Sequence, residues 1–572
     1  MYTTQKNLQI VVSLLKQYGI RHIVISPGSR NMGLVRSIEG DPFFKTYSVV
    51  DERSAAYIAN GIFLETGEPV ALSSTSAQAT RNYIPGMTEA FYRHSKLVFI
   101  TSDYRPSFVG QGVMQALDQM SIPKDSARYS VNLPVINDAN DQRYCVRLVN
   151  EALLELDHNG TGPVHINVPT EEHWGGGVDT LPKASKIDRH VTTDTYPSLE
   201  GKKIMVYIGQ HSKFSPELEA MINEFSVKYD AIICTTLISN FFGERAIHAS
   251  LQLEGMDKDT FKKYAPELVI TIGGQPGDYT FDSKIKSGVI KEHWRVATDG
   301  IIQDTYGKLT NVFEASEDTF FGYYNTAKAR NEADIQYKQW RALTSKPIIP
   351  SNLPFSHTYV ASRLNTQVPA DAIMHFAILN SLRNWNYVID TPRHLSYANV
   401  AGYGIDGCMS TFIGQSLVTD KLSVLVIGDL SFFYDMNSLG IRGIKNNARI
   451  IMINNAGGAE FRLSTNAASE FGEDANKHIA AGGHFGSAKA WAESMNWEYR
   501  TANDEVSLEH NAQGFFDTSE KPIIFEIFTT MANESDGLKL LVSANASKSM
   551  KSKIIATLSP QAKRQLKKLL KK

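Results

Sequence analysis

Short apolar blocks, each stopped by Gly, Asn or Ser and followed by apolar residues at helical spacing, recur along the chain. The clearest case is Ser423 to Phe461. Val424 to Ile427 is apolar and largely β-branched and ends at Gly428-Asp429; Met436, Leu439, Ile441 and Ile444 then follow a helical pattern. A second strand-like run, Arg449 to Ile453, ends at Asn454-Asn455 and Gly457-Gly458. Strand, helix and strand in this order predict a βαβ unit. Asp429 and Asn455 then stand at the carboxyl ends of parallel strands, where open α/β sheets bind ligands. A carboxylate, a side-chain amide and a glycine-framed carbonyl are hard oxygen donors. They suit Mg²⁺, which keeps its other positions for phosphate and water. The plain alternative is an Asp in a strand-to-helix turn and an Asn pair in a loop.

The same alternation organises the first third. It predicts an opening amphipathic helix and then a strand, His22 to Ile25, ending in Ser26-Pro27-Gly28-Ser29-Arg30. A strand at Tyr47 to Val50 leads through Asp51-Glu52-Arg53-Ser54 into a helix, Ala55 to Leu64. Another, Pro69 to Ser73, ends in Thr75-Ser76-Ala77-Gln78-Ala79 before a helix from Asn82 to Tyr92. Leu97 to Thr101 follows, then Asp103-Tyr104-Arg105-Pro106. Repeated αβ pairs imply a parallel sheet. Trp174 to Ser198 reads as a linker. Strands at Ile204 to Ile208 and Leu268 to Ile272, each ending in glycine, mark a second αβ domain without a complete GxGxxG. A second linker, Lys346 to His357, carries Pro347, Pro350 and Pro354.

Length turns these patterns into a domain plan, since 572 residues exceed one core. The expectation is α/β: three doubly wound parallel-sheet domains at residues 1–180, 198–345 and 355–545, with a basic tail at 546–572. A net charge of −2 gives no general argument for nucleic acid. Cys145, Cys234 and Cys408 lack metal or disulfide spacing, and no uncharged apolar run reaches transmembrane length, so a cytoplasmic protein is expected. The tail carries Lys and Arg but no Asp or Glu, interleaved with Ile and Leu and split by Pro560 into two short helical stretches. It reads either as a contact for an anionic surface or as a helix packed on its own protein with a solvated basic face.

The Gly-Asp to Asn-Asn spacing resembles the thiamine diphosphate (ThDP) motif. SPGSR, DERSA, TSxxA with NYxP, GxxQALDQ, GIDG (Gly404 to Gly407) and GGAEF (Gly457 to Phe461), in this order, resemble the 2-succinyl-5-enolpyruvyl-6-hydroxy-3-cyclohexene-1-carboxylate synthase (MenD) family. The resemblance implies a pyruvate decarboxylase/MenD-like architecture with an N-terminal pyrimidine-binding domain, a central Rossmann-like domain and a C-terminal diphosphate-binding domain. It implies ThDP with Mg²⁺, or Mn²⁺ in its place, and no FAD. It makes Glu52 the acid that bonds the cofactor's aminopyrimidine across a subunit boundary; the alternative is a helix-terminal Glu favoured by the macrodipole. Asp429, Asn455 and Gly457 would hold the metal. Thr75, Ser76, Asn82, Gly404, Ile405, Asp406, Gly428, Leu430, Ser431, Gly458 and Phe461 would line the cofactor, with Ile405 as the wedge beneath it. Ser29, Arg30, Arg105, Gln115 and Arg393 are the candidates for substrate. The implied reaction is decarboxylation of a 2-oxo acid and addition of the remainder to an electrophilic acceptor, by an obligate homodimer or a homotetramer.

The departures from that family concern substrate. Its Asn-Arg-Gly before GIDG is here Asn399-Val400-Ala401. Its Lys-Arg loop after Ile272 is here Gln275 to Tyr279, with Asp278. Its serine and arginine before Asn399 have only Thr391 and Arg393 as counterparts. Each lost bidentate arginine–carboxylate contact weakens binding by about 1.5–3 kcal/mol. The expectation is a MenD-like decarboxylase/carboligase with a changed donor, acceptor or both. The alternatives are MenD itself and a ThDP-binding sensor or scaffold without carboligation. Glu460 stands where the family has an apolar residue. It is either a catalytic proton relay or a partner of Arg462 facing solvent.

Overall fold

The computed structural model describes residues 1–547 except 175, 278, 287, 327–333, 345 and 464–465, together with residues 558 and 563. The expected helical pair in the tail and the Asp278 substitution therefore lie outside the described residues. The chain forms two compact units, Met1–Asp194 with Asp299–Glu314, and Thr195–Thr298 with Ala315–Lys572. Residues 299–314 group with the N-terminal unit, and the central and C-terminal strands share the other.

In the first unit six strands, all parallel, run in the order Lys45–Ser48, His22–Ile25, Val70–Ser74, Leu97–Asp103, Val164–Pro169, Tyr129–Asn132. Their residues alternate between two cores. Ile23, Ala71, Val98, Ile100 and Ile166 join one cluster, whereas Val24, Val70, Leu72, Leu97 and Phe99 join another. Successive side chains point to opposite faces, so apolar residues at both parities mean a sheet covered on both sides. The stretch read as a linker is partly structured. Gly177–Val178 pairs antiparallel with Tyr2–Thr3, and Asp188–Val191 pairs parallel with Leu309–Glu314.

In the second unit five parallel strands run Ala246–His248, Ile232–Thr235, Ile204–Ile208, Leu268–Ile272, Glu292–Val296. Six more, also parallel, run Leu395–Ala398, Ile373–Phe376, Ser423–Gly428, Ala448–Asn454, Ile523–Phe528, Glu498–Ala502. Val424, Val426, Ile451 and Ile453 pack on one face and Leu425, Ile427, Ile450 and Met452 on the other. Both six-stranded sheets share one connection order, 2-1-3-4-6-5. In that order the crevice opens between the first and third strands, at their carboxyl ends.

The Ser423–Gly428 and Ala448–Asn454 strands form the expected βαβ pair. The helix between them is displaced toward Asp429: it spans Asp429–Asp435 and tightens to a 3₁₀ turn at Met436–Gly440, and Ile441 is exposed. Two indoles remote in sequence account for the early stop. Trp491 Nε1 donates to the Met436 carbonyl at 2.7 Å and Trp497 Nε1 to the Leu439 carbonyl at 3.2 Å, taking acceptors a continuing helix would need. Among the described residues no helix is long and apolar enough to cross a membrane.

Arg449, fully buried at the start of its strand, donates to the carbonyls of Phe515 (2.6 Å), Asn446 (2.6 Å), Ala448 (3.0 Å) and Asp517 (2.5 Å) and to Ser519 Oγ (2.9 Å). Removing it leaves buried acceptors without donors. Arg449→Met is expected to lower the unfolding free energy by about 3 kcal/mol or more, read as a lower midpoint in urea at unchanged slope.

Candidate active site

Asp429 is the first residue of its helix and is 2% exposed. Its Oδ1 accepts from the Leu430 N–H at 2.7 Å. Its Oδ2 accepts from the N–H groups of Asn455 (3.1 Å) and Gly457 (3.0 Å) and from His484 Nε2 (3.2 Å). The His484 tautomer is set by its other nitrogen, which accepts from the Gly486 N–H at 3.1 Å. Burial pushes the Asp429 carboxyl up from its ordinary value, against the backbone bonds and His484. A carboxylate so placed gains from a cation beside it.

The adjacent asparagines have divided roles. Asn454 Nδ2 donates to Glu526 Oε1 at 2.7 Å and to the Gly486 carbonyl at 2.9 Å. Glu526, wholly buried, also accepts from Ser487, Ala488 and Tyr499, and so ties the 484–488 segment to the sheet. Asn455 Oδ1, by contrast, is buried with no hydrogen-bond partner among the described residues. At Gly457 a Cβ would lie 2.7 Å from the Gly482 Cα and 3.1 Å from the Ala480 carbonyl oxygen, so only glycine fits there. An orphaned amide oxygen, a buried carboxylate and a bare backbone therefore meet at the ends of two neighbouring strands. This donor set fits a divalent cation. Among the described residues no cluster of three or more His, Cys, Asp or Glu side chains forms a self-sufficient metal site. Such an ion would take its remaining oxygens from a phosphate ligand and water.

The other expected residues of this unit lie at the same edge. Ser431 Oγ donates to the Ile405 carbonyl at 2.5 Å, joining Gly404-Ile405 to the Gly428-Asp429-Leu430 turn. Ile405 packs half-buried on the sheet core, and Asp406 is exposed. Phe461 lies over Gly458, where a Cβ would fall 2.9 Å from its ring. Glu460 does not pair with Arg462, whose Nη2 donates to Asn476 Oδ1 at 2.6 Å. It pairs with Arg383, and sequence reasoning missed that arginine. Arg393, together with Thr391, precedes the Leu395–Ala398 strand. It lines a cavity of about 400 Å³ with Lys346, Trp385 and His394 at the opposite edge of the sheet from Asp429.

In the first unit the matching crevice lies between the His22–Ile25 and Val70–Ser74 strands. A Cβ on Gly28 would fall 2.3 Å from Thr75 Cβ, so the SPGSR loop passes with its bare Gly28 backbone against the Thr75 side chain. Ser76 is buried with Oγ unpartnered among the described residues. Ala77 has φ 64° and ψ −115°, a backbone glycine tolerates best, and Leu379 repeats it in the second unit at φ 62° and ψ −122°. Such strain concentrates at functional turns. Glu52 opens the Glu52–Thr66 helix, capped by Asp51, and its Oε2 accepts from Asn82 Nδ2 at 3.1 Å. Arg30 is buried, donates to the Thr170 carbonyl at 2.7 Å and stacks 3.3 Å over the Tyr104 ring. Ser29 Oγ donates to Glu172 and Arg105 pairs with Glu171, each at 2.7 Å. Gln115 is exposed at φ 64°. Gln119 is the buried glutamine, bonded to the Ala77 N–H, Ser102 and Asn167.

Residues 6–122 match the family profile of the thiamine pyrophosphate enzyme, N-terminal TPP binding domain. Curated relatives match nearly end to end. The 2-succinyl-5-enolpyruvyl-6-hydroxy-3-cyclohexene-1-carboxylate synthase of Bacteroides thetaiotaomicron is 32% identical over 94% of this chain and 98% of its own length. That of Bacteroides fragilis is 33% identical over 94% and 99%. That of Flavobacterium psychrophilum is 30% identical over 91% and 95%.

Behind Asp429 lies Glu534, 4% exposed, accepting from the His357 N–H (3.1 Å) and Thr529 Oγ1 (2.5 Å). Burial, with Asp429 adding to it, pushes its carboxyl up to about 7 from 4.5 despite those bonds. A folded-state value above the unfolded one stabilises the fold below about pH 4.5, and that stability is lost as pH rises through 7. In thermal melts between pH 5 and 7.5 the wild type is expected to lose up to about 3 kcal/mol relative to Glu534→Gln. Parallel curves would refute the assignment.

Proposed function

The chain belongs to the 2-succinyl-5-enolpyruvyl-6-hydroxy-3-cyclohexene-1-carboxylate synthase family of ThDP-dependent, C–C bond-forming enzymes, and we propose that it is a Mg²⁺-dependent 2-oxo acid decarboxylase/carboligase with a substrate pocket altered from the family's. The observation that carries the cofactor reading is the unpartnered Asn455 Oδ1 beside the buried Asp429 carboxylate.

Asp429, Asn455 and the Gly457 carbonyl would hold Mg²⁺ against the cofactor's diphosphate. Ser431 and the Leu430 turn would close on the phosphates, Ile405 would support the ring system from below, and Thr75, Ser76 and Asn82 would face the pyrimidine. Bound ThDP supplies the carbon nucleophile and the electron sink for cleaving a 2-oxo acid. Glu52 would hold a proton at the aminopyrimidine and return it, the role its carboxyl could serve within hydrogen-bond reach of that ring. Val50, Tyr57 and Tyr92, on and beside the helices that carry Glu52 and Asn82, are 79%, 46% and 66% exposed. Apolar surface of that kind supports a homodimer in which a second copy covers it.

The altered pocket rests on Val400, fully buried where the family has arginine. It rests also on Gly277, packed on apolar Leu382 and Val400 where the family loop is basic. A second reading, the relatives' own reaction, is favoured by the retained Arg30 and by similarity along nearly the whole chain.

Purified protein is expected to release CO₂ from a 2-oxo acid only with ThDP and Mg²⁺ present. Glu52→Gln should lower that rate about 10²-fold or more while the cofactor still binds. Incubation with 2-oxoglutarate and isochorismate separates the readings: ordinary enzymatic turnover would establish the second and overturn the altered pocket.

A further inference from the structure

At the carboxyl edge of the second unit, Arg383 follows the Ile373–Phe376 strand and Glu460 follows the Gly457-Gly458 turn. Arg383 Nη1 donates to Glu460 Oε2 at 2.6 Å and Nη2 to Oε1 at 3.1 Å, with Asn380 Oδ1 taking a further bond at 2.9 Å. The side chains are 18% and 15% exposed, so the pair borders the site without dissolving into solvent. Burial opposes the guanidinium's charge, but Glu460 overrides it and keeps Arg383 firmly protonated. The wall beside it is aromatic, with Tyr403 near enough to feel the charge of both partners. Val400 and Leu382 are buried, Gly277 rests on both, and the Tyr279 and Tyr403 rings lie 5.4 Å apart. A planar fork is the usual grip for a carboxylate, and here the protein's own carboxylate fills it.

We propose that Glu460 determines donor choice: by occupying Arg383 it makes the site accept a 2-oxo monocarboxylate with a short uncharged tail and refuse one bearing a second carboxylate. A distal carboxylate could reach Arg383 only by displacing Glu460 from a two-bond fork. Placed beside the intact pair, it would lose water without gaining a cation. A methyl or ethyl tail instead meets the Tyr403 and Tyr279 rings. This rests on the decarboxylase reading above. In the donor step without acceptor, the bond between the carboxyl and carbonyl carbons breaks and CO₂ leaves. The electron pair stays on the former carbonyl carbon and takes up a proton, so RCOCOO⁻ and H⁺ give RCHO and CO₂.

The test is CO₂ release by the full chain with ThDP and Mg²⁺ from pyruvate, 2-oxobutyrate and 2-oxoglutarate. The better monoacid is expected to exceed 2-oxoglutarate at least tenfold in kcat/KM, and Glu460→Gln should shrink that ratio at least tenfold. A wild type that prefers 2-oxoglutarate overturns the proposal and leaves the decarboxylase reading standing. A ratio unmoved by Glu460→Gln also overturns it, whereas no CO₂ from any acid overturns both. If Glu460→Gln is inactive, calorimetry with unreactive glutarate decides. Binding at least tenfold tighter to the variant than to the wild type is expected, and equal binding refutes the proposal.

Discussion

A carboxylate with almost no access to water, held by backbone N–H groups of the next strand's turn, is the constraint on which the second unit's site depends. Asp429 draws the Asn455 and Gly457 amides toward itself, and the Asn455 side-chain oxygen has no donor among the described residues. Burial raises the cost of the charge, and the amides and His484 offset only part of it. Folding therefore leaves a buried negative charge and one spare oxygen donor, a pair that would suit a divalent ion carrying a phosphate ligand. Glycine is required at 457 because a Cβ there would lie 2.7 Å from the Gly482 Cα and close the space.

The sheets explain why the loops converge. Two six-stranded parallel sheets with the same 2-1-3-4-6-5 order place their crevices at equivalent points, and both crevices carry a strained strand-to-helix turn, at Ala77 and at Leu379. Apolar residues of both parities bury each sheet on both faces, which leaves the carboxyl ends as the place for polar chemistry. In the first unit the candidate carboxylate-binding groups, Ser29, Arg30 and Arg105, already lie against Glu172, Tyr104 and Glu171. Arg383 repeats that pairing in the second unit with Glu460. In each unit the arginines near the carboxyl edge of the sheet are thus already engaged by the protein's own groups.

Much of the frame was legible in the sequence because parallel strands are continuous apolar runs with abrupt stops. His22–Ile25, Ile204–Ile208 and Leu268–Ile272 have the boundaries their runs predict. Asp429 and Asn455 were legible because they directly follow such runs. What was not legible depends on partners distant in sequence. Trp491 and Trp497 shorten the helix after Asp429, and His484, Glu526 and Glu534 reach the site from segments with no motif of their own. Arg393 was proposed from order along the chain, whereas the arginine at the carboxyl edge is Arg383, whose partner lies 77 positions away.

The most direct measurement is a calorimetric titration of ThDP into the protein with and without Mg²⁺, repeated with Asp429→Ala. The account predicts saturable binding that requires the metal in the wild type and is weakened at least about tenfold by the substitution, as expected when a charged ligand is removed from a single-carboxylate site. Metal-independent binding, or equal affinity in Asp429→Ala, would contradict it.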